Sequence, residues 1–159
     1  MSIFKHQIKN SANLKEKETS IDDYFQFLRS TKEIFSASIQ RLKHPSTQQT
    51  NLTQILCKLY AMKGDVCRYI AEINPKEISP AEIEMTYFEA LKLNSNDCVI
   101  YNQIGSLLQN SDMLKSLLCL YMSGLCEPSL PYSEINATTL LDSTREMFFL
   151  HIKKKEIIE

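Results

Sequence analysis

The residue with the most chemistry on offer in this chain is Arg68, because of what surrounds it. Cys57 to Ile73 reads as a helix, and at 100° per residue Ile55, Leu59, Met62, Val66, Tyr69, Ile70 and Ile73 fall on one apolar stripe. On the opposite side Cys57, Ala61, Gly64, Arg68 and Ala71 share a face. One long cationic side chain therefore stands among small neighbours, whereas a solvated face carries several charges and a core face none. Gly64 costs about 1 kcal/mol relative to Ala in a helix interior, which calls for an offset such as close approach of a ligand or another backbone. Asp65 and Glu72, at i−3 and i+4, can flank the guanidinium and hold its orientation. Two readings follow: an anion pocket with Arg68 at its floor, or a buried structural arginine bridging to a neighbouring helix.

No other constellation suggests catalysis. There is no phosphate-cradling glycine loop, no nucleophile elbow and no paired-histidine metal motif, so the chain reads as a non-enzyme without cofactor or metal. His6, His44 and His151 are far apart, and the five cysteines (Cys57, Cys67, Cys98, Cys119, Cys126) contain no C-x-x-C pair. They read as reduced thiols of a cytoplasmic or nuclear protein. With 18 basic and 19 acidic side chains the net charge is −1, so recognition of an anion must be local. Lys153-Lys154-Lys155 favour the negative pole of a final helix rather than nucleic acid. No apolar run approaches the ~20 residues of a membrane span.

The elements that must position Arg68 are helical. Three glycines, five prolines and no strand pattern in 159 residues predict an all-α chain, most simply one domain over 1–159. A first helix is expected over 1–17, with Ile3, Phe4 and Ile8 apolar and Lys15-Glu16-Lys17-Glu18 as its solvated end or a short linker. Ser20-Ile21-Asp22-Asp23 resembles a capping box that starts a second helix to about Lys43, with Tyr24, Phe25, Leu28, Phe35, Ile39 and Leu42 inward. The Arg68 helix follows from about Asn51 and is broken by Asn74-Pro75. Ser79-Pro80-Ala81-Glu82 starts the next one, with serine at the cap and proline at N1, and it runs to Leu93. Helices over 97–110 and 112–126 form an antiparallel pair, and Pro128 and Pro131 bound a loop. A last helix from about Ser133 carries Leu140, Leu141, Met147, Phe148 and Ile152 inward. Tyr101-x-x-Ile104-Gly105-x-x-Leu108 copies the first-helix pattern of a tetratricopeptide repeat, Gly105 admitting its partner helix closely. The expectation is about seven antiparallel helices stacked around a concave groove.

Two segments together resemble a known family. Gly64-Asp65-Val66-Cys67-Arg68-Tyr69 is similar to the Gly-Asp-x-x-Arg-Tyr helix of 14-3-3 proteins and, equally, of the nonsense-mediated-decay Smg proteins and their telomerase-associated Est relatives. Tyr87-x-x-Ala90-x-x-Leu93 followed by Tyr101-Asn102-Gln103-Ile104 resembles the Smg/Est pattern. Phe4-Lys5-His6-Gln7-Ile8 and Phe27-Leu28 to Phe35 extend the likeness over nearly the whole chain.

The resemblance implies a 14-3-3-like, right-handed helical stack that binds phosphoserine or phosphothreonine peptides. Carried over by position, Lys5 and Arg68 match the residues that contact the phosphate. Tyr69 matches the adjoining tyrosine, and Asn102 an asparagine that holds the peptide backbone. The implied partner is the phosphorylated tail of the up-frameshift RNA helicase in nonsense-mediated mRNA decay, with homo- or heterodimers between family members. A telomerase-associated role is the alternative within the family, and a helical scaffold that has lost phosphate binding the alternative outside it. The sequence departs from the pattern in three places. The family's helices before the Phe-Lys helix have no counterpart ahead of Phe4, so one wall of the groove is expected to be missing. Ala12 stands where 14-3-3 proteins carry a second arginine, and Thr139-Leu140 where the family has Asn-Leu.

Overall fold

The computed structural model describes residues 14–43 and 51–156, with side chains over 18–43 and 51–146. The described residues are all-helical: α1 Leu14–Leu42, α2 Leu52–Ile73, α3 Pro80–Leu93, α4 Cys98–Leu108, α5 Met113–Leu125 and α6 Ser133–Glu156. They fall into two compact units, one ending at Leu93 and the other beginning at Asn94.

In the first unit α2 is the central helix and packs on both α1 and α3. α1 is longer than its sequence suggests. Ser20 lies inside it, not at its start, because Lys and Glu are strong helix formers and Lys15 to Glu18 continue the helix instead of ending it. The expected helix over 1–17 otherwise falls on residues 1–13, outside those described. Among the described side chains of α1, Tyr24, Leu28 and Ile39 are buried, and Phe25, Phe35 and Leu42 are half-buried. Arg29 ties this helix to the loop after α2 through a two-pronged pair with Glu77, Nε to Oε1 at 2.9 Å and Nη2 to Oε2 at 2.5 Å.

α2 starts after Asn51, as expected, and its N-terminus receives no side-chain hydrogen bond from that cap. Its buried face differs from the predicted stripe. Leu56, Cys57, Tyr60, Gly64, Val66, Cys67 and Ile70 are buried, whereas Ile55 and Met62 are 39% and 49% exposed. A helix covered from two sides buries two faces, and the small-residue face is the one on which α3 sits. α3 begins as its sequence dictates, with Ser79 Oγ accepting from the Glu82 amide at 3.2 Å and Pro80 in the first turn.

In the second unit α5 packs against both α4 and α6. The helices of the expected pair are each slightly shorter, because Asp97 and Asp112 sit outside them as N-caps. Asp97 accepts from the amides of Val99 and Ile100, and Asp112 from that of Lys115. Gly105 admits α5 closely, as its place in the repeat pattern predicts: a Cβ there would lie 2.7 Å from Leu120 Cγ. The contact is stitched by buried serines. Ser116 Oγ donates to the Gly105 carbonyl at 2.6 Å, and Ser123 Oγ to the Cys98 carbonyl at 2.6 Å while sharing a hydrogen bond with Ser133 Oγ. In α6 Leu141 is 53% exposed and not in the core, since its neighbour Leu140 points about 100° away and both cannot face one partner. The side chains of Met147, Phe148 and Ile152 lie outside those described.

Candidate functional site

The arrangement around Arg68 starts with Gly64. Its missing side chain leaves room for the Tyr87 ring of α3: a Cβ on Gly64 would meet Tyr87 Cε1 at 2.6 Å and Cδ1 at 2.7 Å. The close approach that offsets the glycine is therefore to a side chain, not to a ligand or a backbone. Tyr87 is 1% exposed and ends on Asp65, its hydroxyl donating to Oδ1 at 2.7 Å. Burial, followed by the adjacent Asp65 charge, pushes the Tyr87 pKa far above the ordinary tyrosine value, so it serves only as a neutral donor. Asp65 is thereby committed to α3 and does not flank the guanidinium as its spacing suggested.

Glu72 does. Arg68 Nη1 donates to Glu72 Oε1 at 2.7 Å, one turn further along the same helix, and the guanidinium carbon lies 4.3 Å from the centre of the Tyr69 ring. The Arg68 side chain is 21% exposed and that of Glu72 50%. Arg68 Nε is buried and has no hydrogen-bond partner among the described residues. Burial works against the arginine's charge, but the hydroxyls of Tyr87 and Tyr69 outweigh it, and the pKa is raised. Arg68 is thus a permanent cation, mostly enclosed, with one donor held by a half-exposed carboxylate and another without an acceptor among the described residues.

Tyr24 of α1 faces the same group. Its pKa is raised by burial first, then by Tyr69 and Glu72, with Arg68 opposing. Tyr69 also borders an apolar groove of about 280 Å³ between α1 and α2, lined by Phe27, Phe35, Met62 and Val66 among others, with Asp65 at its edge.

Among the expected site residues, Arg68 and Tyr69 are brought into contact. Lys5 lies outside the described residues. Asn102 belongs to the second unit, where it is buried in α4 and its Oδ1 accepts from Asn136 Nδ2 of α6 at 2.7 Å. Tyr87 and Tyr24 escaped sequence reasoning as parts of this arrangement. Gly64 did signal that something large must fill the space above it, and Tyr87 is the residue that does. Among the described residues no group of three His, Cys, Asp or Glu side chains could hold a metal ion, and no helix is long and apolar enough to cross a membrane. The five cysteines are free thiols, four of them buried.

Comparison of the chain with protein-family models, with curated proteins and with solved structures finds no match.

Proposed function

We propose that the chain is a phosphopeptide-binding adaptor in which Arg68 holds the phosphate of a phosphorylated serine or threonine. The observation that carries this reading is the state of the guanidinium. Its ion pair among the described residues is with Glu72 of its own helix, and its contacts on the neighbouring helices are with tyrosines, Tyr87 and Tyr24, not with a carboxylate that would neutralise it. Its Nε is buried without an acceptor among the described residues, an arrangement that costs about 1–3 kcal/mol. A half-exposed i,i+4 pair contributes only about 0.3–0.5 kcal/mol, so Glu72 is a partner that an incoming dianion can displace. A phosphoryl group brings about −1.5 to −2 charges and three acceptor oxygens, enough to satisfy both donors at once. Tyr69 beneath the guanidinium keeps it from swinging into solvent.

The resemblance of Gly64 to Tyr69 and of Tyr101-Asn102-Gln103 to the Smg/Est family gives the reading its specific form. In that form the domain is a 14-3-3-like helical stack without enzymatic activity. By the resemblance, Lys5 joins Arg68 on the phosphate, Tyr69 positions the peptide, and the partner is the phosphorylated tail of an RNA helicase of nonsense-mediated decay in the cytoplasm or nucleus. Fluorescence anisotropy with matched phosphorylated and unphosphorylated Ser-Gln peptides tests it, using the wild type, Arg68→Glu and Lys5→Glu. Binding confined to the phosphorylated peptide, weakened by salt and abolished by Arg68→Glu, is expected. Equal binding of both peptides, or none by the folded protein, removes the adaptor reading.

A further inference from the structure

Of the five free thiols, Cys98 is the one that is not buried. It opens α4 directly after the Asp97 cap, whereas Cys126 closes α5 as its C-cap, already in extended backbone with φ −66° and ψ 153°. Hydrogen bonds within the second unit bring these two helix ends together. The Asn96 side chain donates to the Glu127 carbonyl at 2.9 Å and accepts from the Glu127 amide at 3.4 Å. The Cys98 carbonyl accepts from Ser123 Oγ at 2.6 Å. The start of α4 is thus fastened at two points to the stretch from Ser123 to Glu127, and Cys126 lies between them. The side chains leave their helices on one side of this contact. Tyr101 stands one turn after Cys98 on α4, and Cys119 two turns before Cys126 on α5. Burial first, then the charges of Cys126 and Cys119, raise the Tyr101 pKa, so its hydroxyl lies close to both.

We infer that Cys98 and Cys126 are a peroxide-responsive pair that closes to a reversible disulfide, stapling the start of α4 to the end of α5. Their environments divide the work. Cys98 is open enough for peroxide to reach. Cys126 is 4% exposed, and burial, followed by the neighbouring Cys98 and Asp97, pushes its thiol up, so it waits as a proton donor to the Met122 carbonyl at 3.3 Å. The Cys98 thiolate attacks one oxygen of hydrogen peroxide. The O–O bond breaks, the departing hydroxide takes a proton to become water, and Cys98 is left as a sulfenic acid. Cys126, its proton passed to solvent, then attacks the Cys98 sulfur, and the S–O bond breaks with release of a second water. The two thiols lose two electrons and two protons in all, and one peroxide becomes two waters. Cys119 is no rival for Cys126, because seven helical residues separate the two by about 10 Å, beyond the ~7 Å between Cα atoms that a disulfide spans. A transient, sensing disulfide of this kind is the sort that a reducing compartment tolerates.

Mass spectrometry of the full chain tests the inference. The folded, reduced protein is treated with hydrogen peroxide, its remaining thiols are blocked with N-ethylmaleimide, and it is digested without reductant. The expected product is a cross-linked peptide joining Cys98 to Cys126 that has lost two hydrogens and is split again by dithiothreitol. Cys119→Ser is expected to leave the link intact. Cys126→Ser removes the resolving thiol and is expected to hold Cys98 as a sulfenic acid that dimedone captures, with no cross-link. Absence of the 98–126 peptide from the oxidised wild type overturns the inference, and that result does not depend on how any variant folds. So does a cross-link that Cys119→Ser abolishes, or dimedone capture at cysteines other than Cys98 in Cys126→Ser.

Discussion

The Tyr87 ring lies against the bare backbone of Gly64, close enough that a single added methyl would overlap it at 2.6 Å. The ring cannot retreat, because it is 1% exposed and its hydroxyl is anchored on Asp65. In a solvated helix Gly64→Ala gains about 1 kcal/mol from propensity. Here overpacking exceeds that gain, and a net loss of roughly 2 kcal/mol is expected. Urea denaturation at neutral pH measures it, and a variant at least as stable as the wild type would show that the contact is loose.

Tyr87 also gives the protein an alkaline limit. Its pKa is raised in the fold, while the unfolded chain ionises it near 10.0. Above that pH the unfolded state binds fewer protons than the folded one, so the stabilisation present at neutral pH declines as pH rises. Tyr87→Phe is expected to cost about 1.5 kcal/mol at pH 7, from the lost hydrogen bond to a carboxylate. The gap to the wild type then narrows above about pH 10. A gap that stays constant between pH 7 and 11 contradicts this assignment.

Glu77 sets the opposite limit. The Arg29 hydrogen bonds hold its carboxyl below the ordinary value of 4.5, so its contribution is complete above that value and is lost as pH falls through the lowered one. Glu77→Gln is expected to melt below the wild type at pH 7, and the gap is expected to shrink progressively as the pH falls below 4.5. Melting curves recorded across that range decide the matter.

The Glu72 carboxylate competes with any anion for Arg68. Glu72→Gln removes that competitor and leaves the Tyr69 stack in place, so phosphopeptide affinity is expected to rise about twofold, in keeping with the small worth of a half-exposed pair. Anisotropy titration reads the change. A loss of affinity would mean that Glu72 positions Arg68 for the ligand and does not occupy it.

Much of this was legible in the sequence wherever a residue type can satisfy only one local need. Ser79-Pro80 could only begin a helix, and Gly105 in the repeat pattern required a close neighbour, which is Leu120. Arg68 stood out because it is a lone cation on a face of small residues. What failed did so where tertiary packing decides. The Ser20 capping box is sound local chemistry, but strong helix formers upstream override it. The predicted core stripe of α2 assumed one partner, and α2 has two, so Cys57 and Gly64 are buried while Ile55 and Met62 are half-exposed. Asp65 is spaced to reach Arg68, yet Tyr87 claims it, and no spacing rule within one helix can foresee an acceptor's partner on the next.

The most direct measurement is the Arg68 Nε–H resonance in an NMR titration with a phosphorylated Ser-Gln peptide, assigned by its loss in Arg68→Lys. That donor has no acceptor among the described residues. The account predicts a saturable downfield shift with the phosphorylated peptide and none with its unphosphorylated match. A resonance that stays in place while the phosphorylated peptide binds would contradict it, as would failure of the folded protein to bind that peptide at all.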